Sequence, residues 1–171
     1  MYKHLKDRHL DVRRYRGVVV TDEVVTFPLW NLVGQMVGYQ QYRPKGDKQE
    51  RRNPKLGKYF TYLPKNNHVT AWGLDVLNLE DRRVYLLEGV FKACRFHNYG
   101  LNALAVLGNN PKHLSEWLRS LGYHVHAVCD GDTAGRKLGY FANTCTYLPE
   151  GMYVDDMSVD EFNQLLGEVT C

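Results

Sequence analysis

Val128-Cys129-Asp130-Gly131-Asp132-Thr133-Ala134-Gly135-Arg136 joins an apolar strand end, two carboxylates around a glycine, and the start of a helix. Tyr123 to Cys129 reads as the strand, and Asp132 or Thr133 as the cap of a helix running to about Asn143. The same grammar occurs earlier. Val84-Tyr85-Leu86-Leu87 is an apolar run that meets Glu88-Gly89 and then a helical stretch to about Asn98. Between the two lie a strand, Leu101 to Leu107, and a helix capped by Asn110 and opened by Pro111. Leu114, Trp117, Leu118 and Leu121 fall on one stripe of that helix. Cys145 to Leu148 is a fourth short strand. Ser158-Val159-Asp160-Glu161 is a capping box opening a last helix with Phe162, Leu165 and Leu166. Strands alternating with helices predict βαβ units and a parallel sheet.

That topology has a chemical consequence. The carboxyl ends of parallel strands share one edge, where ligands bind. Glu88, Asp130 and Asp132 should therefore converge, although 42 residues separate the first from the second. Gly89 and Gly131 let the backbone turn tightly beside them. Clustered carboxylates repel unless a cation neutralises them, and hard oxygen ligands favour Mg²⁺ or Mn²⁺. A lone Glu-Gly is an ordinary turn, and a lone Asp-Gly-Asp a solvated helix cap. Their combination on βα units of one sheet is the stronger signal.

The first half differs in character. Residues 1–16 read as a short basic helix or helical pair, Val18 to Tyr42 as a β hairpin turning at Asn31 to Gly34, and Arg43 to Lys58 as an exposed polar loop. Met1 to His68 holds 14 Lys and Arg against 6 Asp and Glu, a charge of +8, whereas Val69 to Cys171 carries −5. A basic front suits a polyanion and an acidic back suits cations. Trp30, Tyr39, Tyr42, Tyr59, Phe60 and Tyr62 interleave with these bases, a mix able to stack nucleobases, though many belong to a core. Cysteines 94, 129, 145 and 171 form no C-x-x-C pair, which argues against a zinc ribbon. His124 and His126 share a strand face and read as ordinary structural histidines. With no apolar run near 18 residues and no apolar core in the charged N-terminus, a membrane span and a secretory signal are not expected. The expected location is the cytoplasm, a host's if the gene is a phage's.

Leu86-Leu87-Glu88-Gly89, Ala103 to Gly108 and Val128 to Arg136 together resemble the Toprim domain of bacterial and phage replicative primases. Phe27-Pro28-Leu29, Gly34 to Tyr39, Lys58-Tyr59 and Trp72-Gly73-Leu74 resemble the segment preceding it in those enzymes, and Leu5-Lys6-Asp7-Arg8 the short helical segment before that. The likeness spans roughly residues 20–167. It implies an α/β fold with a Toprim-type parallel sheet flanked by helices, residues 81–171, after a basic helix and a small, mostly β subdomain, residues 1–80. It implies metal-dependent synthesis of short RNA primers on a single-stranded DNA template from nucleoside triphosphates. The metal site would comprise Glu88, Asp130 and Asp132, with Asp155 and Asp156 contributing. Lys58, and Arg43 at an offset of about one residue, would meet nucleotide phosphates. The expected form is a free-standing core without zinc-binding or helicase domains, working with a helicase or other replication protein.

Two departures matter. Many relatives in this family carry an acid three positions after the Gly of Glu-Gly, where this chain has Lys92. A later Asp-x-Asp element is replaced by Asp155-Asp156-Met157. Two other readings therefore stay open: a Toprim nuclease using the same metals, and a non-catalytic nucleic-acid-binding replication protein.

Overall fold

A computed structural model describes residues 1–64, 70–107 and 111–170. The basic N-terminus forms helix α1 (Tyr2–Asp7) and a 3-10 turn at Val12–Arg14, with Leu5 and Leu10 buried. Strands β1 (Val19–Val20), β2 (Val25–Trp30), β3 (Met36–Tyr42) and β4 (Tyr59–Tyr62) form an antiparallel sheet in that order. Pro28 lies within β2, which a missing N–H would ordinarily forbid in a central strand. The pairing explains the exception: β1 covers β2 only at Val25 and Thr26, so Pro28 pairs with β3 on one side alone. The turn at Asn31 to Gly34 forms as expected, with Asn31 Oδ1 accepting the Gln35 N–H. The polar loop that follows carries a 3-10 turn, Pro54–Leu56.

The second half is built on β5 (Arg83–Glu88), α2 (Val90–Asn98), β6 (Ala103–Val106), α3 (Pro111–Ser120), β7 (His124–Cys129), α4 (Thr133–Leu138), β8 (Thr144–Tyr147) and α5 (Val159–Thr170). Its four strands are all parallel, in the order β6-β5-β7-β8. Both faces of this sheet are covered, which is why its strands are continuously apolar. Val84, Leu86, Val125 and Ala127 pack against Leu114 and Leu118 of α3 and Leu138 of α4. Tyr85, Leu87 and Val128 share a second core with Phe91 and Phe96 of α2, Phe162 of α5, and Leu5, Phe27 and Tyr42 of the front half. Phe91 stands edge-on to Phe27 at 6.0 Å and to Tyr42 at 4.9 Å, so α2 joins the two sheets through aromatic contacts. The connection between the halves belongs to the second sheet: Trp72 bridges Ala105 by N–H···O bonds of 3.1 and 2.9 Å.

Several expectations need correction. Leu121 is not part of the buried stripe of α3; it is 43% exposed, because the helix ends at Ser120 and the chain turns through Gly122. The helix after Asp132 stops at Leu138, continuing only as a 3-10 turn to Phe141, rather than reaching Asn143. Asn143 is held by the sheet instead, its N–H donating to Val125 O and its Oδ1 accepting the Val125 N–H. The second strand is shorter than Leu101 to Leu107, and the Asn110 cap and Gly108 lie outside the described residues.

Candidate active site

β5 ends on Glu88, and β7 ends one residue before Asp130. The parallel pairing puts both at one edge, where a cavity of about 1050 Å³ opens between the two sheets. Glu88, Asp130, Asp132, Asp155 and Asp156 all line it. Gly89, at φ 100°, turns the chain from Glu88 into α2 in a conformation side chains rarely adopt. Gly131 is required by proximity: a Cβ there would overlap the Pro149 carbonyl oxygen. Its N–H donates to Met152 O, and its own carbonyl accepts the Gly151 N–H, so the acidic loop is stitched to the segment leading to Asp155.

The acids have distinct environments. Asp132 caps α4, one oxygen accepting the Gly135 N–H at 2.7 Å. Glu88 is half-buried; burial, then Asp130 and Asp132, push its carboxyl above the usual range, against the pull of Lys92. Asp130 is also raised, by burial first and by Asp132 and Asp155, although the Lys92 ammonium hydrogen-bonds its Oδ2. Its Oδ1 is buried without a partner among the described residues. Asp155 gives Oδ2 to Arg8 and leaves Oδ1 buried and likewise unsatisfied. Asp155 and Asp156 sit in a 3-10 turn, Val154–Asp156, braced by Arg95 of α2, which donates to Val154 O at 2.7 Å and Ser158 O at 2.9 Å.

Arg43 and Lys58 stand apart from this cavity. They continue the β3–β4 pairing, the Arg43 N–H donating to Lys58 O, and the Arg43 guanidinium donates to Gln41 Oε1. Neither side chain is in the lining. The bases that do line it are Arg8, Lys48, Lys92 and Lys137. Arg8 lies over the Phe91 ring at 3.9 Å and reaches the Tyr59 hydroxyl at 3.3 Å. Of the front-half aromatics, Tyr59 lines the cavity while Tyr42 is core. His124 and His126 bond Thr144 and Thr146, a structural role.

Five carboxylates line the one cavity, and two of their buried oxygens lack partners among the described residues, a donor set of the hard-oxygen kind that divalent cations take. Among the described residues, however, no three His, Cys, Asp or Glu side chains are close enough to enclose an ion by themselves. The fit is to an ion held partly by protein and partly by water and phosphate, the usual manner of Mg²⁺.

No family model matches the sequence, and no curated protein matches it. Solved structures do match. The chain is similar to an Aquifex aeolicus primase comprising zinc-binding and RNA polymerase domains, with TM-score 0.63 and 24% identity over 93% of this chain and 43% of that one. It is similar to a DnaG primase catalytic domain bound to single-stranded DNA, with TM-score 0.62 and 20% identity over 99% and 57%. A third match is the primase fragment of the bacteriophage T7 primase-helicase, with TM-score 0.63 and 12% identity over 90% and 66%. The chain thus spans between 43% and 66% of the length of these structures. Its fold is that of DNA primase catalytic cores.

Proposed function

We propose that this protein is a primase-type nucleotidyltransferase that joins ribonucleotides into short primers on single-stranded DNA. The observation that carries the reading is the meeting of Glu88, Asp130, Asp132 and Asp155, from three separate stretches of chain, around one cavity that basic residues also line. In the reaction, the primer 3′-oxygen bonds the α-phosphorus of a nucleoside triphosphate as the bond to pyrophosphate breaks. Asp130, Asp155, Glu88 and Asp132 would hold Mg²⁺ or Mn²⁺, which would neutralise charge on the phosphates and polarise the attacking hydroxyl, its proton passing to solvent. Arg8, Lys48 and Lys137 would bind the triphosphate and the leaving group. Val106, Leu107, Leu138 and Phe141 give the pocket an apolar stretch of wall. Template binding on the basic front half is part of the same proposal, as is dependence on a helicase or other replication partner.

Incubation with a single-stranded template, labelled ribonucleotides and Mg²⁺ or Mn²⁺ tests this. Short labelled RNA is expected, falling at least about a hundredfold in Asp130→Asn, the scale of losing one preorganised charge in an active site. Folded protein that makes no primer with either metal and with replication partners present contradicts it. Metal-dependent nicking of DNA, abolished by Asp130→Asn, would instead identify a nuclease. One observation favours a non-catalytic binding role: Lys92 already neutralises Asp130. Salt-sensitive DNA binding that is unchanged in Glu88→Gln, without turnover, is its signature.

A further inference from the structure

Arg95 of α2 is a buried cation with an unusual choice of partners. The residue is 3% exposed, yet its guanidinium donates to two backbone carbonyls, Val154 O at 2.7 Å and Ser158 O at 2.9 Å. Among the described residues it forms no ion pair. Taking a charge out of water is costly, and neutral carbonyls offset less of that cost than a carboxylate does. The guanidinium also lies over the Phe162 ring at 4.2 Å. Its two carbonyls bracket Asp155 and Asp156, the acids that the 3-10 turn Val154–Asp156 brings to the cavity.

The helix after this turn has anchors of its own. α5 starts on the capping box between Ser158 and Glu161, and Phe162 stands edge-on to Phe96 at 5.3 Å and to Tyr99 at 5.2 Å. The turn is less secure. The Asp156 N–H donates to Tyr153 O at 3.0 Å, and Tyr153 brings no side-chain cap. Two arginines fix it from outside: Arg8 holds the Asp155 carboxylate, and Arg95 holds the backbone on either side of the two acids. α2 follows Glu88 with only Gly89 between them. Arg95 therefore ties the Asp155–Asp156 turn to the rigid element that continues from Glu88. Resting on the nucleotidyl-transfer reading, we propose that Arg95 is a positioning residue, a strut from α2 that sets where Asp155 and Asp156 stand relative to Glu88 and Asp130.

Primer synthesis and amide hydrogen exchange on the full chain test this together. Arg95→Met keeps most of the length and removes both donors. Its kcat is expected to fall at least about tenfold, since a misplacement of about 1 Å can cost about a hundredfold. KM for the nucleoside triphosphate should change less than kcat, because Arg8, Lys48 and Lys137 are untouched. The Asp156 and Met157 amides should exchange at least about tenfold faster. Ser158→Ala is the comparison: it weakens the α5 cap without removing either carbonyl, and should leave kcat and Asp156 exchange unaltered. Arg95→Lys, which keeps the charge and loses the forked pair of donors, should fall between the two. Unaltered kcat in folded Arg95→Met overturns the inference, as does a kcat loss without faster exchange in the turn, or a loss that Ser158→Ala matches. If Arg95→Met does not fold, full kcat in Arg95→Lys overturns it. Any of these results alongside primer synthesis by the unaltered protein leaves the nucleotidyl-transfer reading standing. No primer from the unaltered protein contradicts that reading, and the inference with it.

Discussion

Gly131 is where a single atom decides the geometry of the acids. A methyl group added there meets the Pro149 carbonyl oxygen, and because both sides of the clash are backbone, the acidic loop itself must move. Gly131→Ala is expected to lower stability by more than about 2 kcal/mol in urea unfolding, within the range of severe single changes. A loss below about 0.5 kcal/mol would mean that the loop yields freely and does not fix Asp130. Glu88, Asp130 and Asp132 were legible in the sequence because they fall at or just after the ends of parallel strands, whereas Asp155 and Asp156 sit in a 3-10 turn that no strand pattern announces. The bases were not legible either. Arg8 reaches Asp155 across 147 residues of chain, and Lys48 comes from an irregular loop. Neither position obeys a spacing rule. Lys92 was visible only as an exception, and its ion pair with Asp130 required the fold.

Elements were legible where periodicity and caps agreed. The Ser158–Glu161 box forms as its spacing predicts: Ser158 Oγ accepts the Glu161 N–H at 3.2 Å, and Glu161 Oε2 accepts the Ser158 N–H at 2.7 Å. It starts α5, which seats Phe162 edge-on to Phe96 at 5.3 Å. Ser158→Ala should therefore cost about 1 kcal/mol, with faster hydrogen exchange in the first turn of α5. Unaltered stability and exchange would show that packing alone holds the helix. Helix ends were less legible. The backbone and side chain of Asn143 both bond Val125 of β7, a long-range demand that a local reading of the helix does not contain. Leu121 satisfies the apolar period of α3 yet falls beyond its last residue, because Gly122 turns the chain at φ 81°.

At the scale of the whole molecule, two sheets share a core that no local pattern announces. His97 is one of its ties. Tyr15, in the front half, shares a hydrogen bond of 3.0 Å between its hydroxyl and His97 Nδ1, and His97 Nε2 donates to Ala103 O at 2.8 Å. Burial favours the neutral ring and holds the His97 pKa down at about 4; burial also lowers His126 to about 4. In the unfolded chain these rings titrate near 6.5. Between those values the unfolded state binds more protons, so stability is full above about 6.5 and falls as pH drops to about 4. His97 contributes on the order of 3 kcal/mol to that loss. Glu88 and Asp130, whose carboxyls are raised, act in the opposite sense, so the difference between variants isolates the histidine. Urea midpoints of the unaltered protein should fall further between pH 7 and pH 4.5 than those of His97→Gln; parallel profiles would contradict this account of the tie.

On the nucleotidyltransferase reading, acids from separate parts of the chain bind a divalent cation at the carboxyl edge of the parallel sheet. Anomalous X-ray scattering from crystals soaked in Mn²⁺ with a non-hydrolysable nucleoside triphosphate tests it most directly. A manganese peak is expected in the cavity within ligand distance of the Asp130 and Asp155 carboxylates, with nucleotide phosphate oxygens completing its shell. A peak away from these carboxylates, or none in a cavity that holds the nucleotide, would contradict it.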